Sequence, residues 1–284
     1  MTQAHRELVE RLFPQLGGIA SFEPIEGGWT CDTYEVNGEW IVQLPRGEPA
    51  AERLRAQIAL LPELQHEVSA QIPLPELVSE DPSAMGYRRL DGSPSTGDDG
   101  IWPERLGRFL YDLHMVPPEF VGLRLRSPED IRRERRDECS RLREVVAPLL
   151  GPAERSRADA MLAGYLDDDR NWRFASCLTH GDLGTEHVLV SPTGDLVGLI
   201  DWEEASVGDP VWDFASWLHA RPEAGERALA AYGGAPDDRF RERALVSFAL
   251  MPWHEVEYGL ADGGESFIES GLAGARDRLT LIAP

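Results

Sequence analysis

The stretch His180–Phe214, HGDLGTEHVLVSPTGDLVGLIDWEEASVGDPVWDF, decides how this chain is read. Short apolar runs alternate in it with turn residues: Cys177–Thr179 just ahead, then Val188–Val190, a turn at Ser191–Asp195, and Val197–Ile200. Runs this short, bounded by Gly, Pro, Asp and Ser, read as strands. From Phe174 to Ala220 there is no Lys or Arg, yet there are eight carboxylates: Asp182, Glu186, Asp195, Asp201, Glu203, Glu204, Asp209 and Asp213. Packed near one another they repel unless metal ions or a cationic ligand neutralise them. Asp201 stands at the mouth of an apolar strand, where a metal ligand is typically found. Asp182 opens a turn-rich loop five positions before His187. A loop carboxylate, a ligand five residues on and a second carboxylate after a hairpin can converge on one phosphate and its magnesium ion. Zinc at His180 and His187 is the weaker reading, because zinc sites usually need three protein ligands at shorter spacing.

Composition narrows the classes outside this stretch. The chain has 284 residues, 28 basic against 50 acidic, and a formal charge of −22. All 28 basic residues are arginine. A Walker A loop and a lysine Schiff base are thereby excluded. So acidic a surface argues against a nucleic-acid partner, which demands a basic footprint. It suits solubility first, and cationic small molecules second. No apolar run reaches the ~18 residues of a membrane span, and MTQAHRELVERLF reads as an amphipathic helix, not a signal peptide. Cys31, Cys139 and Cys177 are odd in number and widely spaced, as expected of free thiols in a cytoplasmic protein.

The first ninety residues have the rhythm of a small sheet. Phe22–Glu26, Thr33–Val36 and Glu39–Leu44 are short runs punctuated by Gly27–Gly28 and Asn37–Gly38. Asn-Gly between two such runs is a strong hairpin signal, because both turn residues take positive φ. A helix is predicted over Pro49–Leu61, stopped by Pro62, and further strands within Val68–Val78 and at Tyr87–Leu90. The Gly/Ser/Asp/Pro-rich segment Asp91–Gly100 divides a lobe of residues 1–90 from one of residues 91–284. Beyond it helices dominate. Leu106, Phe109, Leu110 and Leu113 form one stripe, Ser127–Leu150 is a charged helix, and Trp253, Val256 and Leu260 are expected to pack inward. His254-Glu255-Val256-Glu257-Tyr258 is not a zinc motif; Glu255, Glu257 and Asp262 read equally as a solvated helix face or as carboxylates for a polyamine. Trp29, Trp202, Trp212 and Trp217 read as core or lobe-packing residues.

The segment from His180 resembles the catalytic core of the aminoglycoside and macrolide phosphotransferases, relatives of the protein kinases. Its His180–Leu183 with His187, Ile200–Trp202 and Gly208–Phe214 match H-G-D-L-x-x-x-N/H, I-D-W/F and G/A-D-P-x-x-D-F/L, and the motifs are closest to those of the 2″-aminoglycoside and macrolide enzymes. The resemblance implies an α+β, two-lobed protein-kinase-like fold, with a small antiparallel sheet in the N-lobe and a mainly helical C-lobe. It implies Asp182 as the catalytic base or positioner, Asp201 and His187 as magnesium ligands, and His180, Asp209 and Asp213 as structural braces. Glu26–Arg46 looks like the nucleotide-covering hairpin, with Gly27, Gly28 and Trp29 near its start. Leu106–Pro117 resembles the buttress of the catalytic loop, and Trp253–Leu272 the substrate wall. Glu203, Glu204, Glu255, Glu257 and Asp262 are then candidates for acceptor binding.

The chain departs from the family pattern at two facing positions. Gln43 stands where a Lys or Arg holds the nucleotide phosphates, and Gln57 where its Glu partner is expected. Both ends of that ion pair are neutral, which is coherent because one surviving charge would be buried alone; the two amides are expected to hydrogen-bond. Arg46 lies on the opposite strand face by alternation. His187 in place of an amide is a softer magnesium ligand, shared with the 2″-aminoglycoside and macrolide enzymes. The resulting expectation is a monomeric magnesium-dependent kinase that uses ATP or GTP on an aminoglycoside-like or macrolide hydroxyl. The alternatives are a kinase for an amino alcohol or sugar, and a non-catalytic nucleotide- or drug-binding protein.

Overall fold

A computed structural model describes residues 2–282. The chain begins with α1 (Thr2–Leu12), then β1 (Phe22–Ile25), β2 (Cys31–Val36), β3 (Trp40–Pro45), α2 (Glu48–Leu64), β4 (Leu77–Glu80) and β5 (Ser83–Arg88). The five strands form one antiparallel sheet in the order β1-β2-β3-β5-β4. Alternation along β3 sorts its faces. Val42 and Leu44 pack with Val9 and Phe13 on the α1 side, whereas Ile41 packs with Leu54 of α2. The hairpin at Asn37–Gly38 forms as its sequence demands, with φ of 57° and 69°. Asn37 also holds the preceding loop: its Oδ1 accepts from Ala20 N at 2.7 Å, and its Nδ2 donates to Gly18 O at 2.9 Å.

Two expectations here are corrected. The helix passes through Pro62 and ends at Leu64. The buried Leu61 and Leu64 anchor that last turn in the main core, outweighing the one backbone bond that proline removes. The strand expected within Val68–Val78 begins only at Leu77 and runs on to Glu80, because Pro73 and Pro75 lack the N–H groups a ladder needs. Gln71 instead makes a single parallel bridge to Gly198.

The remainder holds β6 (Ser93–Pro94), α3 (Trp102–Met115), α4 (Pro128–Val146), α5 (Pro152–Asp167), β7 (Cys177–Thr179), β8 (Val188–Val190), β9 (Leu196–Leu199), β10 (Ser206–Gly208), α6 (Ala215–Ala220), α7 (Pro222–Ala231), α8 (Phe240–Tyr258), a π turn (Gly259–Gly263) and α9 (Glu265–Leu279). It is mainly helical, giving the expected α+β class. One core joins α3, α6 and α7 to Leu183, Leu199, Trp202 and Phe214; a second joins α4, α5, α8 and α9. Leu260 does not pack inward as expected but is 48% exposed. The helix widens into the π turn at Gly259, which rotates the residues after Val256 off the buried stripe. Among the described residues no helix is long and apolar enough to cross a membrane.

Candidate functional site

The loop between β7 and β8 carries Asp182 and His187, and the end of β9 delivers Asp201 beside them. His187 Nδ1 donates to the backbone carbonyl of Asp182 at 2.7 Å, which leaves Nε2 facing Asp201 Oδ2 at 3.5 Å. The Asp182 carboxylate lies 4.0 Å from His187 Nδ1. Burial pulls the His187 pKa down, but Asp201 and Asp182 outweigh it and hold the imidazole above its ordinary value. Asp201 has φ 68°, a conformation that non-glycine residues adopt at a cost and that turns its side chain back toward the loop. His180 is fully buried, stacks on His187 with centroids 6.2 Å apart, and donates from Nε2 to Ile200 O at 3.0 Å. Gly181, at φ 87°, lies so close to the next loop that a Cβ there would stand 2.3 Å from the Glu204 carbonyl oxygen.

Asp213 and Asp209 brace this arrangement in different ways. Asp213, fully buried, accepts from His180 N at 3.0 Å and Gly181 N at 2.9 Å, and pairs with His114 Nε2 at 3.0 Å. Burial works against its charge, yet His114 and these amides keep its pKa lowered. His114, from α3, is itself held by Tyr232 Oη at 2.9 Å. Asp209 sits in a buried pair with Arg243 of α8, at 2.6 and 3.1 Å, and Arg243 reaches on to Asp237 at 2.7 Å.

Above the loop lies the glycine turn. Gly27 has φ 108°, and Gly28 approaches the Cys31 carbonyl, where a Cβ would be 2.9 Å away. Thr30 Oγ1 donates to Glu203 of the opposite lobe, and burial raises Glu203 to about 7. Trp29 is 38% exposed; it stacks on Tyr258 at 4.7 Å and 9° and meets Phe267 edge-on at 5.8 Å. It therefore bridges the two lobes, whereas Trp202 and Trp217 are core. Gln43 lies two residues after Ile41 on the face toward α2, and Gln57 of α2 is buried. Among the described residues no hydrogen bond joins the two amides, and Gln43 Oε1 is buried without a donor. Arg46 is on the other face, as alternation predicts. It donates to Asp32 at 2.8 Å and to the Gly28 carbonyl at 3.0 Å.

The acceptor side is less uniform. Glu204 pairs with Arg53 of α2 at 3.3 Å; burial raises its pKa, against the pull of Arg53 and with Asp182 adding to the rise. His254 is fixed by Glu138 at 2.9 Å, and Glu138 by Arg135 at 2.6 Å. Glu257 is met by Arg141, and Glu255 faces the charge of Arg278. Asp262 falls in the π turn, and its side chain lies outside the described residues.

Residues 21–245 match the phosphotransferase enzyme family. The chain belongs to that family. It is 27% identical over 293 residues to the viomycin phosphotransferase of Streptomyces vinaceus, spanning 96% of this chain and 99% of the relative. Its fold superposes on wild-type aminoglycoside 2'-phosphotransferase-IIIa, solved as a GDP complex, with a TM-score of 0.83 at 23% identity, covering 99% of each chain. A macrolide 2'-phosphotransferase from Brachybacterium faecium gives 0.72 at 26% identity, over 96% of this chain and 98% of that one. The two-lobed kinase-like fold and the class of small-molecule kinase follow.

Within this phosphotransferase Asp182, His187, Asp201, His180 and Asp213, expected together from the motifs, lie in one cluster. Thr30, Arg53, His114, Arg243 and His254 join the site without being candidates from the sequence. His114 was within reach, because the buttress helix ends in LHMVP and a buried aspartate at the catalytic loop needs a donor. The partners of Glu203, Glu204 and Asp209 come from distant elements and left no local signal.

Proposed function

We propose that this phosphotransferase moves the γ-phosphoryl group of ATP or GTP to a hydroxyl of a small, antibiotic-like acceptor in the cytoplasm. The observation that carries the reading is the convergence of Asp182, His187 and Asp201 under the glycine turn. Asp182, 57% exposed in its side chain, is free to accept the acceptor's hydroxyl proton. The acceptor O–P bond then forms as the bond from the γ-phosphorus to the β–γ bridging oxygen breaks, and the nucleoside diphosphate leaves. The donor set fits magnesium: Asp201 offers a hard oxygen, and His187 Nε2, 3.5 Å from it, would become a second donor once a bound cation displaces its proton, with phosphate and water free to complete the shell. Bound there, magnesium would neutralise charge on the phosphates. The excess of carboxylates between Phe174 and Ala220 favours a cationic acceptor, as do relatives named for aminoglycosides and viomycin.

The neutral Gln43 and Gln57 favour a second reading, a nucleotide- or drug-binding protein without turnover. Incubating the chain with magnesium and ATP or GTP against an antibiotic panel, and following the acceptor's gain of one phosphoryl group by mass, separates the two. Asp182→Asn should cut turnover about 10²–10⁴-fold with the fold intact. Saturable nucleotide binding with no phosphorylated acceptor would favour the second reading.

A further inference from the structure

With Gln43 and Gln57 neutral, the nucleotide cleft lacks the cation that its strand normally supplies. We infer that Arg53 of α2 supplies it instead, as the side chain that binds the nucleotide's phosphates. The inference rests on the phosphotransferase reading above.

Arg53 precedes Gln57 by one helical turn, so both side chains lie on one side of α2. Its guanidinium reaches across the cleft to Glu204 at 3.3 Å and also acts electrostatically on Glu203. Glu203 is hydrogen-bonded by Thr30 of the glycine turn and lies two residues beyond Asp201. Arg53 thus stands where the turn, the Asp201 loop and α2 meet. Arg46, the other arginine near the turn, is spent on Asp32 and on the Gly28 carbonyl from the far face of the sheet.

Two further details favour a ligand for Arg53. Its Nε is buried and has no acceptor among the described residues, so part of a rigid five-donor fork is unused. Its pairing with Glu204 is between side chains 41% and 50% exposed. Such a pair is weak and gives way readily to a triphosphate, which a guanidinium can hold through two parallel bonds. The acidic neighbours orient the fork toward the cleft, as the missing glutamate would have oriented a strand lysine.

The test is titration of the full chain with MgATP and MgGTP, and with adenosine and guanosine as phosphate-free probes, in wild type, Arg53→Gln, Arg53→Lys and Arg53→Gln combined with Gln43→Lys. A charged hydrogen bond of ordinary strength corresponds to about tenfold to a hundredfold in Kd. Arg53→Gln should weaken the triphosphates by that factor and leave the nucleosides unchanged. Arg53→Lys should keep only part of the affinity, its charge without the paired bonds, and Gln43→Lys should restore part of what Arg53→Gln loses. Triphosphate affinity unchanged in Arg53→Gln, or nucleosides and triphosphates weakened equally, overturns the inference while the phosphotransferase reading stands. A wild-type chain that binds neither nucleotide overturns both.

Discussion

Restoring the absent ion pair is the most informative perturbation of the N-lobe. Gln57 is 3% exposed, so Gln57→Glu places a carboxylate where water is scarce. An uncompensated buried charge costs about 3–5 kcal/mol. Arg53, one turn earlier on the same helix, can reach part of the way toward it, which lowers the expected loss to about 2–3 kcal/mol. Gln43→Lys alone should cost about 1–2 kcal/mol, because its ammonium joins a half-buried layer beside an amide that offers no charge. Together the two charges face each other across the β3–α2 layer. Should the introduced ammonium and carboxylate close to ~4 Å, at an effective dielectric of about 20 their attraction is about 4 kcal/mol. The double variant should therefore come back to within about 1 kcal/mol of wild type, with a coupling of about 2–4 kcal/mol. Urea unfolding of the four proteins measures this. In a chain this long each kcal/mol moves Tm by about 2–4 °C, so the singles should melt several degrees below the double. A coupling smaller than about 0.5 kcal/mol would refute the reasoning, since two side chains that do not meet give additive effects.

Asp201→Ala should abolish magnesium-dependent nucleotide binding, whereas His187→Asn should be far milder because an amide oxygen is the harder donor; equal losses in a MgATP titration would reverse that ranking. Arg243→Met leaves Asp209 buried without its cation and should cost about 3–5 kcal/mol in urea unfolding, part of which Asp209→Asn in the same chain should recover. Glu138 lies at about 2, because Arg135 and His254 outweigh the burial that would raise it. A carboxyl held below its unfolded value near 4.3 stabilises above that pH and loses the contribution as pH falls toward 2. Glu138→Gln should therefore be less stable than wild type by about 2–3 kcal/mol at pH 7, with the gap closing between about pH 4 and 2. A gap that stays constant through that range would show that Glu138 is not held by these cations.

What could be read in the sequence, and what could not, follows from how far each determinant lies from the residue it governs. The hairpin at Asn37–Gly38 was legible because positive φ is a property of those two residues themselves. Asp182, His187 and Asp201 were legible because a loop and one hairpin bring them together within twenty residues of chain. Pro62 and Leu260 misled for the opposite reason: the helix runs through one because distant core contacts hold Leu61 and Leu64, and turns away from the other because a π turn follows. The arginines are the harder case. In a chain with 28 arginines and no lysine, nothing local says which one meets Asp209 or crosses to Glu204. Their partners lie 34 and 151 residues away, and only the closed tertiary structure selects them. Gln43 shows where the limit falls. Strand alternation was enough to put it on the face toward α2, but its carbonyl is left without a donor. Two residues can face the same layer without meeting the angles a hydrogen bond requires, and those depend on the packing of every residue around them.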